Sequence, residues 1–361
     1  MKITIAATSD IHYDQRVQKI AGSLSKASHT VLVIGRNKKK RNENVYPFRL
    51  NLLPCFFQKS FFFYAEYNLR LFWKLLFTKM DVICACDLDT LLACTLTAKI
   101  KGSKLVFDAH EYFENSIEIK DKPIIRYAWQ TIAKICLPRV DLCYTVSQSL
   151  ANILTQKYGK TFHLIRNVPL SNPRIEELKI PDRKILWYQG AVNEGRGLEL
   201  LIDCIAMLPD YTLEIAGDGD VLEYLKQRVA DLNLQQRILF HGRLNYDEMF
   251  RRASNAWIGF DLLDSKSDNY FYSLSNKTFD YMKAGLPIVQ MNFPEYANIH
   301  NNHQIGVLIN HLSKEQLLLA IKKLETLSLQ TSCRQACIKA SGEFTWEKEE
   351  EKMLELYNIK A

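Results

Sequence analysis

The sequence predicts an α/β protein of two Rossmann-like, doubly wound domains that face each other across a cleft. Apolar strand-like runs alternate with helical stretches along the whole 361-residue chain, which is typical of parallel sheets. A polar segment with three prolines, residues 168–183, divides these runs into two sets. Parallel sheets bind ligands beyond the carboxyl ends of their strands, so we expect the functional site in the interdomain cleft.

The first set of runs predicts an N-terminal domain over residues 1–168. Its strands are expected at KITIAAT, TVLVIGR, DVICAC, KLVFDAH, LCYTVS and HLIRNV. After a linker at 169–182, the second set predicts a C-terminal domain over 183–342, with strands at KILWYQG, TLEIAGDG, RILFHG, AWIGFDL, PIVQM and GVLIN. The last segment, 343–361, is expected to be a helix. It either packs back across the domain junction or closes the second domain as a terminal amphipathic helix.

The composition excludes several classes of protein. No apolar run approaches the roughly 18 residues of a transmembrane helix. The start, MKITIAATSD, lacks the apolar core of a signal peptide and predicts a first strand instead. The nine cysteines contain no C-x-x-C pair, which favours reduced thiols in a cytoplasmic protein over disulfides or a zinc site.

The net charge of +7 is divided unevenly along the chain. Residues 1–168 carry 25 Lys/Arg against 13 Asp/Glu, a net charge of +12, whereas the remainder carries 22 against 27, a net charge of −5. This asymmetry favours an anionic partner for the first domain, such as a membrane surface, a phosphate or a nucleic acid.

A glycine-rich loop, GAVNEGRG, follows the first strand of the second domain. Its Gly190, Gly195, Arg196 and Gly197 nearly spell a P-loop, but Gly197 stands where the hydroxyl residue that binds Mg²⁺ belongs. Backbone N–H groups at the start of a helix, together with an arginine fork, suit phosphate oxygens. We therefore expect a diphosphate site without a metal; the alternative is a tight turn with a surface arginine.

Two further stretches of the second domain carry polar chemistry. Gly217 comes directly after a predicted strand in LEIAGDGD, where it forms either a tight turn or the other wall of a nucleotide pocket. In SNKTFDYMKAGLP, the residues Asn276, Lys277 and Asp280 open a helix. A lysine at a helix start opposes the dipole and favours a nearby anion, and the Asp280 carboxylate suits a ribose diol. The alternative is a capped surface helix.

In the first domain, polar residues crowd the end of the strand KLVFDAH. His110 and Glu111 lie there, where doubly wound folds place their chemistry, and we expect them to be catalytic. The alternative is a structural histidine.

An aromatic and basic segment follows the run RNKKKR at 36–41. It holds 12 of the 40 aromatic residues between Tyr46 and Phe77. We expect a helix with Lys59, Glu66, Arg70 and Lys74 on one stripe and apolar residues, Trp73 among them, elsewhere, which suits contact with an anionic membrane or a lipid-linked acceptor. The alternative is a helix that buries its apolar face in the domain core. Nucleic acid is not expected, because no nucleic-acid-binding module accompanies these residues.

Motifs along nearly the whole chain resemble family-four glycosyltransferases of the GT-B fold. In the second half the resemblance is carried by GAVNEGRGLELLIDCIAML, LEIAGDGD, ILFHGRL, SNKTFDYMKAGLPIV and FTWEKEEEKMLELY. In the first half it is carried by DIHYDQRVQKIAGSLSKASHTVLVIGR, DLDTLLA and LVFDAHEYFEN. The resemblance implies a retaining enzyme that binds a nucleotide-diphosphate sugar in its second domain, without a metal or another cofactor.

The resemblance also implies roles for single residues. The family holds the diphosphate with a basic pair; Arg196 stands in place of its lysine, and Ala191 in place of its arginine. Lys277 or Arg243 is the candidate that would compensate for Ala191.

The family also carries two glutamates eight positions apart. Asp280 matches the glutamate that grips the ribose, and Tyr272 replaces the glutamate near the sugar, with Asp268 four residues upstream. His110 corresponds to the histidine beside the donor sugar.

These observations predict a glycosyltransferase of surface polysaccharide or glycolipid synthesis, at the inner face of the membrane. Its partners are a nucleotide-sugar donor and a glycan or lipid-linked acceptor. Two alternatives are a nucleotide-sugar epimerase of the same fold and a catalytically silent, membrane-associated scaffold, which the replacements at Ala191 and Tyr272 would suit.

Overall fold

The computed structural model describes residues 1–37, 45–116, 119, 121–171 and 180–357. Most of the expected linker (172–179) and most of the basic run (38–41) lie outside the described residues. The chain forms two compact units, Met1–Asn167 joined by the chain from Glu347 onward, and Val168–Trp346. Each unit contains one parallel sheet covered by helices, so the prediction of two doubly wound domains is confirmed.

The N-terminal unit is a seven-stranded parallel sheet. Its strands are β1 (Lys2–Ala6), β2 (Thr30–Arg36), β3 (Arg49–Leu53), β4 (Val82–Cys86), β5 (Lys104–Ala109), β6 (Leu142–Thr145) and β7 (Phe162–Leu164). They lie in the order β3-β2-β1-β4-β5-β6-β7, which reverses direction between β1 and β4. The sequence analysis did not predict β3, because this edge strand alternates polar and apolar residues inside the aromatic and basic segment.

Five helices connect these strands: α1 (Gln15–Lys26), α2 (Ser60–Leu76), α3 (Leu88–Lys101), α4 (Pro123–Cys136) and α5 (Gln148–Tyr158). Their ends follow from local chemistry. The side chain of Asp14 accepts a hydrogen bond from the Val17 amide and so caps α1, and Ser147 caps α5 in the same way. Helices α3 and α5 each end at a left-handed glycine, Gly102 and Gly159.

Helix α2 packs on the sheet through one stripe of side chains. Phe63, Tyr67, Leu71 and Leu75 recur every four residues and are buried in the core of the N-terminal unit. The Tyr67 hydroxyl donates to the Ala7 carbonyl just past β1 at 2.6 Å. The helix is thereby fixed near the carboxyl ends of the central strands.

The C-terminal unit is a six-stranded parallel sheet. Its strands are β8 (Ile185–Gln189), β9 (Thr212–Ala216), β10 (Ile238–Gly242), β11 (Ile258–Asp261), β12 (Ile288–Met291) and β13 (Gly306–Ile309), in the order β10-β9-β8-β11-β12-β13. The order reverses between β8 and β11, which is where doubly wound sheets bind their ligands.

The helices of this unit are α6 (Leu198–Ala206), α7 (Leu222–Asp231), α8 (Tyr246–Ser254), α9 (Asp268–Phe271), α10 (Asn276–Lys283), α11 (Pro294–Asn302), α12 (Lys314–Lys323) and α13 (Leu327–Ser341). Every helix in the described ranges is too short or too polar to span a bilayer.

The last helix, α14 (Trp346–Tyr357), packs in the N-terminal unit. Its Glu349 carboxylate accepts from the Arg166 backbone amide at 3.0 Å and pairs with the Arg166 guanidinium at 3.2 Å. Its Tyr357 hydroxyl lies 3.1 Å from that of Tyr144 on β6. The chain therefore returns at its end to the unit in which it begins.

Candidate active site

Two glycines bring the loops after β8 and β9 into contact. Gly190 (φ +125°) and Gly217 (φ +150°) both adopt backbone angles that favour glycine. A Cβ atom on Gly217 would lie 1.8 Å from the Gly190 carbonyl oxygen, so a side chain at Gly217 has no room. The Gly190 amide donates to the Ala216 carbonyl at 2.9 Å, which closes the contact.

Lys277 lies beside this pair of loops. A Cβ atom on Gly190 would be 3.9 Å from the Lys277 Nζ atom. The lysine is 7% exposed, its Nζ lies 3.0 Å from Oδ1 of Asp261, and it sits 5.3 Å from the centre of the Tyr188 ring. Burial lowers the pKa of the Lys277 ammonium, and the Asp261 carboxylate partly offsets that effect. The ammonium carries three N–H groups, more than the one Asp261 oxygen beside it can accept.

Arg196, in the loop between β8 and α6, is the second cation of this site after Lys277. Its guanidinium stacks over the Tyr270 ring, with 4.7 Å between the guanidinium carbon and the ring centre. Its Nε is buried and has no hydrogen-bond partner among the described residues. Arg196 and Lys277 are close enough for their charges to interact, and both interact with Asp261. An anion would satisfy donors that the protein leaves unsatisfied here.

Asp280 is held by a residue from the end of β8. Gln189 donates through Nε2 to Asp280 Oδ2 at 2.9 Å, and accepts through Oε1 from the Trp187 indole at 2.9 Å. These two bonds fix the amide orientation of Gln189, because the indole is only a donor. Asp280 is thus oriented on the first turns of α10, at the switch point between β8 and β11.

The other residues expected to bind the donor lie nearer the surface. Arg243 is 60% exposed in its side chain and pairs with Asp218 at 3.3 Å. Asn276 is exposed at the first position of α10. Of the two candidates to compensate for Ala191, Lys277 is therefore the one that borders the Gly190 turn.

Tyr272 lies at the end of the short helix α9 that begins at Asp268. Its ring meets Phe271 edge-on at 4.9 Å, and Phe271 in turn packs 5.0 Å from Phe293. Tyr272 therefore belongs to a group of aromatic rings, and this part of the unit offers apolar ring surface where the family pattern has a carboxylate.

In the N-terminal unit, His110 lies between two carboxylates. Its Nε2 is 2.9 Å from Asp108 Oδ2, and its Nδ1 is 3.4 Å from Asp87 Oδ2. Asp87 has a left-handed backbone (φ +59°), and its Oδ1 accepts from the His110 amide at 2.8 Å rather than from an amide of helix α3, which it precedes. Each ring nitrogen thus faces an acceptor, as in a protonated imidazole.

The charges of this cluster are strongly coupled. Burial lowers the pKa of His110, but Asp108 and Asp87 outweigh it and raise the pKa to about 10. Burial raises the pKa of Asp108, but Arg16 and His110 outweigh it and lower the pKa to about 2. Burial, helped by Asp87, raises the pKa of Asp89 to about 8. His110 is therefore a cation near neutral pH, suited to stabilising negative charge or orienting a substrate rather than to acting as a general base.

Arg16 anchors the cluster from helix α1. Its guanidinium donates from Nε and Nη2 to Asp108 at 2.7–3.1 Å and from Nη1 to the Ile165 carbonyl at 2.8 Å. Glu111, the other expected catalytic residue, is exposed beside this cluster.

Three potential metal ligands, on Cys86, Asp108 and His110, lie within 4.8 Å of one another in the described part of the chain. Both oxygens of Asp108 already accept from Arg16, and the guanidinium charge opposes a second cation, so this set does not fit a metal site.

The expected membrane-binding residues lie on or just before α2. Lys59 is exposed and precedes the helix, Trp73 is 54% exposed, and Arg70 and Lys74 are half-buried. The role of these residues at a membrane stays a prediction. The domain core takes the Phe63 stripe, and a further apolar set shares the outer surface with the cations: Phe61, Phe62, Leu69 and Trp73.

Sequence reasoning missed Asp261, Gln189 and Arg16. Asp261 and Gln189 end the predicted strands AWIGFDL and KILWYQG, so the signal that selected His110 also applied to them. Arg16 lies four residues before the buried Ile20 on α1 and so falls on the buried face of that helix. A buried charge needs a partner of opposite charge, and this was the available signal for the pair of Arg16 with Asp108.

Comparison with known proteins identifies the family of the chain. The family model "Glycosyltransferase Family 4" matches residues 15–168, and "Glycosyl transferases group 1" matches residues 172–344. No curated protein sequence matches the chain significantly.

Among solved structures, the fold resembles sucrose-phosphate synthase from Thermosynechococcus elongatus (TM-score 0.78, 15% identity, 99% of this chain and 98% of the other). It also resembles HepE of Anabaena in complex with UDP-glucose (TM-score 0.77, 15% identity, 99% of each chain). A third is WaaG, a glycosyltransferase of lipopolysaccharide biosynthesis (TM-score 0.76, 14% identity, 99% of this chain and all of the other).

At such low identities the likeness to solved structures shows the fold alone, which is GT-B. The two family models together cover nearly the whole chain. The sequence match and the fold agree, and the chain belongs to the family-four, group 1 glycosyltransferases.

Proposed function

We propose that this glycosyltransferase binds a nucleotide-diphosphate sugar in its C-terminal unit and transfers the sugar, with retention, to a glycan or lipid-linked acceptor. The observation that carries the proposal is the pair Arg196 and Lys277. Both cations are largely buried, Arg196 in the loop before α6 and Lys277 on α10; the Arg196 Nε has no hydrogen-bond partner among the described residues, and the Lys277 ammonium carries three N–H groups beside its ion pair with Asp261. A diphosphate supplies the missing acceptors.

The same pair accounts for catalysis of the leaving step. As the bond between sugar and phosphate breaks, negative charge grows on the diphosphate oxygens, and preorganised cations stabilise that charge. A hydrogen bond to a charged group contributes about 1.5–3 kcal/mol, so two such residues give substantial stabilisation without a metal ion. We expect transfer to persist in EDTA.

Further residues complete the proposed donor site. Asp280, oriented by Gln189, is assigned to the ribose diol. Asn276, next to Lys277 at the start of α10, and the loop residues Gly190 and Gly217 are also assigned to the donor. Arg243 is assigned to the rim, where Asp218 holds it. His110 and Glu111, in the N-terminal unit, are assigned to the substrate, with His110 acting as a cation. The HepE structures contain UDP and UDP-glucose, so UDP-sugars are the first donors to test.

The test is a panel of nucleotide-sugars incubated with lipid-linked glycan acceptors, with products identified by mass spectrometry. We expect one donor to give a glycosylated acceptor, and NMR of that product to show the anomeric configuration of the donor. Conversion of a donor without an acceptor would favour an epimerase instead. If the protein bound none of the nucleoside diphosphates in the panel, the proposal would be overturned and a silent scaffold favoured.

We also propose that the N-terminal unit contacts an anionic membrane. The proposed location is the cytoplasm, at the inner face of the membrane, and the proposed process is surface polysaccharide or glycolipid synthesis. The support is the outer surface of α2, where Phe61, Phe62 and Trp73 are exposed. Lys59 is exposed just before the helix and Lys74 is half-buried on it, whereas Arg70 is paired with Glu66 at 2.8 Å. Exposed aromatic rings enter the headgroup region, while each nearby Lys or Arg contributes about 1 kcal/mol at an anionic leaflet.

Vesicle co-sedimentation tests this contact. We expect binding to vesicles of anionic lipid, weaker binding to neutral vesicles, and at least a tenfold loss for Trp73→Glu. Leu319→Glu, at a similarly exposed leucine on α12 of the C-terminal unit, is the matched control and should bind as the wild type does. Equal binding of wild type and Trp73→Glu would overturn the proposed surface.

A further inference from the structure

Asp261 is a buried acid whose surroundings are organised around one of its two oxygens. It ends strand β11, is fully buried, and lies at the switch point of the C-terminal sheet. Its Oδ2 accepts a hydrogen bond from the Thr278 hydroxyl at 3.1 Å and lies 3.5 Å from Gln290 Nε2. Its Oδ1 is left to the Lys277 ammonium at 3.0 Å.

A chain of hydrogen bonds runs toward Asp261 from three other elements. The Nε2 atom of His300 on α11 lies 3.0 Å from the side-chain oxygen Oε1 of Gln290. That oxygen is only an acceptor, so the imidazole must donate. The side-chain Nε2 of Gln290, on β12, donates to the Thr278 hydroxyl at 2.7 Å, and that hydroxyl donates to Asp261 Oδ2. Burial lowers the pKa of His300 to about 4, so the chain starts from a neutral imidazole near pH 7.

Every donor in this chain points toward the carboxylate, which favours its ionised form. The chain occupies Oδ2 and so holds Oδ1 toward Lys277. Oδ1 makes one contact with the ammonium, at 3.0 Å, and an ammonium carries three N–H groups, so donors remain for a ligand.

We propose that Asp261 is a positioning residue that keeps Lys277 protonated and directed at the diphosphate of the donor. This inference rests on the proposed function of Lys277 in donor binding. The charged groups that interact with the ammonium are Asp261 from β11, Arg196 from the loop before α6 and Asp280 from α10. The Tyr188 ring of β8 also faces it at 5.3 Å, and burial raises the pKa of that phenol, which keeps it neutral. Arg196 disfavours the ammonium charge, as burial does, and Asp261 opposes both.

Asp261→Asn separates two roles, because they predict different pH dependence. If Asp261 merely neutralised Lys277, its removal would take a negative charge away from the diphosphate and strengthen binding equally at every pH. If Asp261 keeps Lys277 protonated, the variant binds nucleoside diphosphate well at pH 6 but loses affinity as pH rises. We expect the ratio of variant to wild-type Kd to rise at least tenfold between pH 6 and pH 9.

The experiment is calorimetric titration of UDP, GDP and ADP, with the tightest of the three used for the pH series. Thr278→Val removes one donor to Asp261 Oδ2 without removing the carboxylate, and should show the same trend with a smaller amplitude. It also serves if Asp261→Asn does not fold. Asp203→Asn, which breaks the 2.7 Å ion pair with Arg228 between α6 and α7, is the matched control and should show a flat ratio. A flat ratio for both Asp261→Asn and Thr278→Val would overturn the inference while leaving donor binding intact.

A second measurement does not need a nucleotide. The proton affinity of Lys277 can be followed by NMR in protein labelled with ¹³C-lysine, with the resonance assigned by Lys277→Arg. We expect its titration midpoint in Asp261→Asn to fall at least one unit below that in the wild type. An unchanged midpoint would overturn the inference. If the wild type bound none of the three nucleotides, the proposed function would fail, and this measurement would still decide the role of Asp261.

Discussion

The hydroxyl groups of Tyr144 and Tyr357 lie 3.1 Å apart in the interior of the N-terminal unit, although 213 positions separate them in the sequence. Tyr144 is on β6, between β5 and β7, and Tyr357 is near the end of the chain; both are buried. The final helix is therefore part of the structure of the first domain.

This relationship predicts that the end of the chain stabilises the N-terminal unit. Tyr357→Ala should lower the free energy of unfolding by about 3–5 kcal/mol, because it leaves a cavity, whereas Tyr357→Phe should cost about 1 kcal/mol. Denaturant unfolding, with hydrogen exchange of β6 as the local measurement, checks both values. Glu351→Ala, at an exposed position of the same helix, should unfold with the wild type. Unchanged protection of β6 in Tyr357→Ala would contradict the packing role.

The guanidinium of Arg196 predicts a loss of nucleotide affinity on truncation. Arg196→Ala should weaken nucleoside diphosphate binding by about 10- to 150-fold, the equivalent of one charged hydrogen-bond partner. Calorimetry measures the change directly. Arg251→Ala removes an equally charged but exposed guanidinium, paired with Glu248 on α8, and should leave binding unchanged. If both variants bound alike, Arg196 would have no place at the diphosphate.

The His110 cluster predicts a loss of stability in alkali. The pKa of His110 is raised to about 10 in the fold, above its ordinary value of 6.5, so its contribution is complete below pH 6.5 and disappears as pH rises to about 10. The pKa of Asp89 is raised to about 8, so this group also makes the free energy of unfolding fall as pH rises, but its effect is complete by about pH 8. Between pH 8 and pH 10 the buried thiols, whose pKa values burial raises from 9.0, also lower the stability as pH rises, so the difference between the wild type and His110→Gln is what isolates His110.

Urea unfolding at pH 8 and pH 10 measures this effect. We expect the wild type to lose on the order of 2 kcal/mol more over the interval than His110→Gln does. His163→Gln, at an exposed histidine on β7, should keep the wild-type slope. Parallel slopes for wild type and His110→Gln would show that the imidazole is not held as a cation.

The close approach of two loops predicts that Gly217 tolerates no side chain. Gly217→Ala places a Cβ atom 1.8 Å from a backbone oxygen, so the loops must separate. We expect a cost of more than about 3 kcal/mol in stability, together with weaker nucleotide binding. Gly102→Ala is the control, because its φ of +66° is also left-handed but nothing lies within 4 Å of the added methyl group. It should cost about 1 kcal/mol and leave nucleotide binding intact, and an equal cost at both positions would contradict the steric argument.

Much of the fold follows from local sequence patterns. A buried parallel strand is a short apolar run bounded by polar turns, and this local signal located the strands from β1 to β13 with the exception of β3. That edge strand, Arg49–Leu53, alternates polar and apolar residues inside an aromatic segment, and its pairing with β2 is what makes it a strand.

The sites divide in the same way. Glycines after strands marked the loops around Gly190 and Gly217, and a polar strand end marked His110, because these are local features of the sequence. The sequence did not indicate that Lys277 would border Gly190, that Asp261 would receive a hydrogen-bond chain from His300, or that Arg16 would hold Asp108. Each of these contacts joins residues from separate elements.

The sequence by itself thus determined the two doubly wound domains, the family and the loops that carry the chemistry, since periodicity and motif spacing are properties of neighbouring residues. The tertiary structure alone decided which cations keep unsatisfied donors, which acid orients Lys277, and to which domain the last helix belongs. Burial and charge pairing set these properties, and both depend on residues that meet only when the chain has folded.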